Sequence, residues 1–103
     1  MKVVLSKSLG SMPLTETARQ RLARRKEITC DQLLGSFKWF EKEFRTDLDL
    51  VVVVEELGKL ASDSRAELRI VEVPDGIEWE LFLIDGMEAV VEMGRSWSWE
   101  QGK

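Results

Sequence analysis

Two glycine-bearing turns divide the stretch from Ala66 to Met93 into three short apolar runs, and nothing else in the chain restricts its fold as much. The first turn is Val73-Pro74-Asp75-Gly76-Ile77. Proline presets φ, aspartate tolerates the next position, and glycine reaches the left-handed conformation of a three-residue hairpin with a bulge. The second is Asp85-Gly86, two residues that accept positive φ and suit a type I′ hairpin. The spacing predicts an antiparallel β-meander with strands at about 67–73, 77–84 and 87–93.

Side chains alternate along a strand, so these turns assign faces. If Val73 faces Ile77 and Ile84 faces Met87, one face carries Val71, Val73, Ile77, Trp79, Leu81, Leu83 and Val90. The other carries Leu68, Ile70, Phe82, Ile84, Met87, Ala89 and Val91. Both are apolar, whereas a sheet with one wet face is apolar on one side only. The acids Glu72, Glu78, Glu80, Glu88 and Glu92 are expected at strand ends and edges. Each face needs a cover.

At 103 residues the chain has room for a single α+β domain spanning 1–103 and one modest core. It lacks an apolar run long enough to span a bilayer, and the start Met1–Ser6 has too short a run for a signal peptide. One cysteine, Cys30, excludes an internal disulfide and points to a reducing, cytoplasmic setting. The net charge of −4 is uneven. Residues 1–46 hold 10 Lys/Arg against 5 Asp/Glu, and residues 47–103 hold 5 against 14. The two halves can neutralise each other within the fold or between subunits, or the basic half can meet a nucleic acid.

Ahead of the meander, Lys2–Leu5 reads as a short strand whose simplest place is beside it. Thr15 offers an N-cap for a helix at about 15–26, with Glu16 in its first turn. Its apolar stripe is thin (Ala18, Leu22, Ala23) and its basic content high: Arg19, Arg21, Arg24, Arg25 and Lys26. Residues 28–45 fit either a helix, by the spacing of Phe37, Phe40 and Phe44, or an irregular strand, and extended structure is preferred. A second helix is expected at about 47–62, capped by Asp47, with Leu50, Val51, Val54, Leu57 and Ala61 at helical spacing. Gly58 inside it would mark close packing on the sheet. After Met93 comes a tail with Trp97 and Trp99 at strand spacing.

The resulting fold is α+β, with the meander, an N-terminal strand and both helices packed on one sheet face. The remaining apolar face predicts a homo-oligomer, a dimer or higher, with a C₂ dimer first.

Several blocks together resemble a small uncharacterised family of phages and other mobile elements, integron gene cassettes among them. They are Lys2–Leu5 with Leu14-Thr15-Glu16-Thr17-Ala18, Val53-Val54-Glu55-Glu56-Leu57-Gly58, Ala66–Glu80, Asp85-Gly86-Met87-Glu88 and Arg95-Ser96-Trp97. The likeness covers about two thirds of the chain and fails over 28–45. The resemblance implies no assigned activity. Where the family tends to Cys-Tyr-Gly-Gly-Phe-Gly, this chain has Ser8-Leu9-Gly10-Ser11-Met12-Pro13, and where it tends to His-Arg-Thr-Trp, this chain has Gly94-Arg95-Ser96-Trp97. No thiol or imidazole role transfers.

Chemistry is sparse. With no histidine the commonest general base and metal ligand is missing. Cys30, flanked by Asp31 and without a histidine partner, is a poor nucleophile and reads as a structural or incidental thiol. Ser8-Leu9-Gly10-Ser11 before a helix is a weak anion signal, and the adjacent Glu55 and Glu56 point about 100° apart. Strand spacing scatters Glu80, Asp85, Glu88 and Glu92 over two faces, which disfavours a cation site. No catalytic residue, metal ligand or cofactor is assigned. Trp79 reads as core. Arg95, Trp97 and Trp99 form a cationic-aromatic tail suited to stacking bases, binding a peptide, packing within the chain or locking onto a second subunit. Locking comes first, and with Phe82, Ile84 and Met87 these are the oligomer-interface candidates. The basic run Arg19, Arg21, Arg24, Arg25, Lys26 is the nucleic-acid candidate, opposed by overall acidity. Third comes a small carboxylate enzyme using Asp85, Glu88 and Arg95 at the sheet end. The leading expectation is a noncatalytic, homo-oligomeric accessory protein.

Overall fold

In the computed structural model, which describes residues 1–7, 12–63 and 65–103, each α-helix starts where the sequence supplies an oxygen to cap it. Thr15 Oγ1 accepts from the Ala18 amide ahead of α1 (Glu16–Arg25). Asp47 accepts from the Leu50 amide ahead of α3 (Leu48–Leu57). Both caps agree with the sequence reading. Between them lies α2 (Cys30–Ser36), opened by a reciprocal capping box in which Thr29 and Gln32 each bond the other's amide. This corrects the expectation of extended structure over 28–45. That segment is α2 followed by a 3₁₀ turn at Lys42–Thr46, with Phe37 and Trp39 buried and Phe44 edge-on to Phe37.

α3 is shorter than expected. Gly58 ends it at φ +55, and a 3₁₀ turn continues over Gly58–Ala61. A Cβ on Gly58 would meet nothing within 4 Å, so its role is conformational and not the close packing expected of it.

The strands are β1 (Lys2–Leu5), β2 (Arg69–Glu72), β3 (Glu80–Ile84), β4 (Met87–Glu92) and β5 (Arg95–Ser98). The class is α+β, as expected, with an N-terminal strand and two antiparallel sheets, β1–β2 and β3–β4–β5. Asp85 at φ +52 and Gly86 at φ +78 form the β3–β4 hairpin, with Ile84 opposite Met87 as the turn requires. The first turn does otherwise. Gly76 takes positive φ, but β2 pairs with β1, Val71 opposite Val3, and not with β3. The residues after Pro74 stay irregular until Glu80, and the meander's third strand is β5, made from the tryptophan tail.

Changed neighbours did not change facing. Along the β1–β2 ribbon, Val4, Leu68 and Ile70 join a core with Leu22, Leu33, Leu50 and Val53 of the helices. Val3, Leu5, Val71 and Val73 turn to a second core with Trp79, Leu81, Val90 and Trp97. The ribbon therefore lies between helices and the three-stranded sheet, apolar on both sides because both are covered by this chain. Each fully enclosed Val or Leu there is worth about 1.5–3 kcal/mol relative to exposure. No helix among the described residues is long and apolar enough to cross a membrane.

Candidate interaction surface

The β3–β4–β5 sheet presents two unlike faces. Leu81, Val90 and Trp97 stand in register across it and look into the second core. The opposite face carries Phe82, Ile84, Met87, Ala89 and Val91. Ala89 is fully enclosed and Met87 packs partly on the core, whereas Phe82 is 57% exposed, with Ile84 and Val91 half-buried. Met93, in the β4–β5 turn, is 97% exposed. Three of the six expected interface residues, Phe82, Ile84 and Met87, thus share one face.

The cationic-aromatic tail is drawn inward instead. Trp99 is 5% exposed, its indole N–H donates to the Glu67 carbonyl at 2.6 Å, and the Arg69 guanidinium lies 3.7 Å from its ring centre. That geometry combines a satisfied indole donor with a cation–π contact. Trp97 is half-buried on the second core, and Arg95 spans its ring at 5.0 Å while bonding the Glu92 carboxylate. Trp99 is a structural residue of the monomer, and Arg95 is held to its own hairpin.

The basic helix is also partly committed. Arg19 donates to the Leu14 carbonyl at 2.7 Å. Arg25 pairs with Asp49 at 3.2 Å, and Lys26 with Asp47 at 2.6 Å and Asp49 at 3.3 Å. Burial lowers the Lys26 pKa, but the hydrogen bonds and charges of Asp47 and Asp49 outweigh it and hold the ammonium above its ordinary range. Only Arg21 and Arg24 of the five remain exposed with no ion pair among the described residues.

The carboxylates do not converge. Asp85 sits in the turn before β4 and Arg95 after the turn that follows it, so a whole strand separates them. Glu88, expected at the surface, is 4% exposed and faces Arg45, itself 1% exposed. Arg45 donates to Glu88 Oε1 at 2.5 Å and to Oε2 at 2.9 Å. Its Nε donates to the Trp39 carbonyl at 2.8 Å, Nη1 to the Val4 carbonyl at 3.2 Å, and the guanidinium lies 3.7 Å from the Trp39 ring centre. Glu88 Oε1 also accepts from the Ser6 amide at 2.6 Å. With every bond made inside the chain, the pair is a tie between segments and not an open site. Sequence reasoning missed it. The available signal was Glu88 beside Ala89 and Val90 in an apolar strand, where a carboxylate requires a partner.

No group of His, Cys, Asp or Glu among the described residues is placed to hold a metal ion, and Cys30 is a half-buried free thiol. The weak anion signal at Ser8–Ser11 lies outside the described residues. An open groove of 1260 Å³ runs along β2, where Lys2 pairs with Glu55 and the backbone of Lys103 with that of Ile70. Compared with known proteins, the chain matches no family model, no curated protein and no solved structure.

Proposed function

We propose that the protein is a noncatalytic, self-associating interaction protein whose contact surface lies on the β3 side of the β3–β4–β5 sheet, where the outer face meets the open edge. The observation that supports this is Phe82, a phenyl 57% exposed in the middle of an edge strand with half-buried Ile84 and Val91 on the same face. A large aromatic at an unpaired edge favours association with another sheet. The segment around β2, apolar on both sides, gives no support, since the chain covers both sides itself. The outer face beside the β3 edge is the apolar side left uncovered, at Phe82.

The accessory role in a mobile element rests on the residue resemblance alone, and a cytoplasmic setting on the lone free thiol Cys30. Nucleic-acid binding has less support, because Asp47 and Asp49 hold Arg25 and Lys26 in ion pairs. Sedimentation velocity and light scattering from about 10 µM to about 1 mM test the proposal, a span covering interfaces of roughly 4–7 kcal/mol. The mass-average should climb from the 11.8 kDa monomer with concentration. A clean monomer over the whole range rules self-association out.

A further inference from the structure

Resting on that self-associating reading and making it specific, we infer that the open edge of β3 is the docking site for the same edge of a second copy, antiparallel and centred on Phe82. The two-residue Asp85-Gly86 turn makes Ile84 and Met87 the closing hydrogen-bonded pair of the hairpin. Bonded and non-bonded pairs alternate from there, so Phe82 and Glu80 direct their backbone groups to β4. Leu81 and Leu83 direct theirs outward. Trp79 is the next position in that outward series, and its carbonyl indeed accepts from Lys42 Nζ at 2.6 Å. No described residue bonds the outward groups of Leu81 and Leu83.

The other edges each have an outward position taken: Arg45 binds the Val4 carbonyl on β1, Lys103 brackets Ile70 on β2, and Gln101 accepts from the Ser98 amide on β5. β3 is the edge left with two consecutive outward positions unused.

Its sequence is self-complementary in one register. A two-fold axis through Phe82 sets Leu81 opposite Leu83 of the second copy and Leu83 opposite its Leu81, each pair exchanging two backbone bonds. Phe82 meets its symmetry mate as a non-hydrogen-bonded pair, the closer kind at about 4.5 Å between Cα atoms, where cross-strand aromatic pairs gain most. Glu80 then faces Ile84, and no like charges oppose. One step further, Trp79 faces Asp85, which brings the second copy's aspartate beside the Lys42 ammonium held on the Trp79 carbonyl. This opposite-charge contact occurs twice. Sliding the register so that the axis falls on Glu80 sets two carboxylates against each other and drives Lys42 into the partner strand. An edge five residues long gives a contact of the small, reversible class, so dimerisation is concentration-dependent.

The test compares three variants with wild type by sedimentation and two more by disulfide crosslinking, each checked by far-UV circular dichroism. F82K sets two ammonium groups on the axis, and L83P deletes an outward N–H while leaving the β3–β4 ladder intact; each should weaken the dimer tenfold or more. S96K, on the opposite outer strand β5, should leave the association constant within twofold. In a C30S background, F82C should form a disulfide-linked dimer in oxidising buffer, since the paired Cα separation suits the bond, and S96C should not. The crosslink keeps the test decisive where F82K or L83P fails to fold. Wild type that associates while F82K, L83P and F82C behave as wild type and uncrosslinked overturns the β3 edge and leaves self-association standing. A wild-type monomer throughout overturns both.

Discussion

Arg45 and Glu88 face each other through two parallel hydrogen bonds of 2.5 and 2.9 Å, with almost no contact with solvent. The pair joins the 3₁₀ turn after α2 to the first residues of β4, and its remaining hydrogen bonds reach Val4, Ser6 and Trp39. One ionic contact therefore fixes how the helical side, the β1–β2 ribbon and the three-stranded sheet meet. Breaking such a pair from one side strands a buried charge, at about 3–5 kcal/mol, a large share of the roughly 5–15 kcal/mol that holds a domain of this size. R45M and E88L should each lose that much in urea unfolding. The double variant should lose less than the two together, because neither charge is left alone, though Ser6, Val4 and Trp39 still forfeit bonds. Coupling below about 0.5 kcal/mol would show the two residues to be independent.

The Lys26 ammonium sits between Asp47 and Asp49, and its pKa is raised because those two carboxylates outweigh the cost of burial. A raised lysine stabilises the fold fully below its unfolded value and ceases to do so as pH rises through the folded one. Stability should therefore fall as pH climbs above about 10.5, the ordinary lysine value. K26M should show a shallower decline over that window, measured as the urea midpoint at stepped pH. Equal slopes for the two proteins would remove the linkage.

What the sequence made legible was local. Thr15 and Asp47 cap helices through bonds three residues long, and Asp85-Gly86 closes its hairpin through its own dihedrals. Facing was legible too, since alternation sends Val71 and Trp79 to one core whichever strands are neighbours. Neighbours themselves were not. Whether Val71 lies beside Val3 or beside Trp79 is set by closing a loop across the whole chain, and Pro74-Asp75-Gly76 bends the backbone equally well either way. The interface candidates divide for the same reason: Phe82, Ile84 and Met87 share a face by parity, whereas only the packed chain reveals that Trp99 is enclosed by Arg69 and Glu67. α2 was written in Thr29-Cys30-Asp31-Gln32 as a capping box, a signal the aromatic spacing downstream obscured.

Trp99 closes the second core from the end of β5, with its ring under Arg69 and its N–H on the Glu67 carbonyl. W99F keeps an aromatic ring there and loses the hydrogen bond, which should cost about 1 kcal/mol. W99A empties the site and should cost about 3–5 kcal/mol. Guanidinium unfolding monitored by circular dichroism reads both. A W99A protein as stable as W99F would mean that the ring carries no packing weight.

Gly58 stops α3 at φ +55, ψ −123, with its amide bonded to the Val54 carbonyl. That region is the mirror image of extended backbone, open to glycine and closed to side-chain-bearing residues, asparagine included. Gly86, at φ +78 in a type I′ turn, instead takes the left-handed form that asparagine tolerates. Space is not at issue at either position, since an added Cβ would meet nothing within 4 Å. The expectation is a contrast: G58A and G58N alike lose about 1–3 kcal/mol, whereas G86N loses well under 1 kcal/mol. Thermal unfolding of the three variants measures it. If G58N proves as mild as G86N, the helix ends in an ordinary left-handed cap, and α3 and the following 3₁₀ turn can then be redesigned without a glycine.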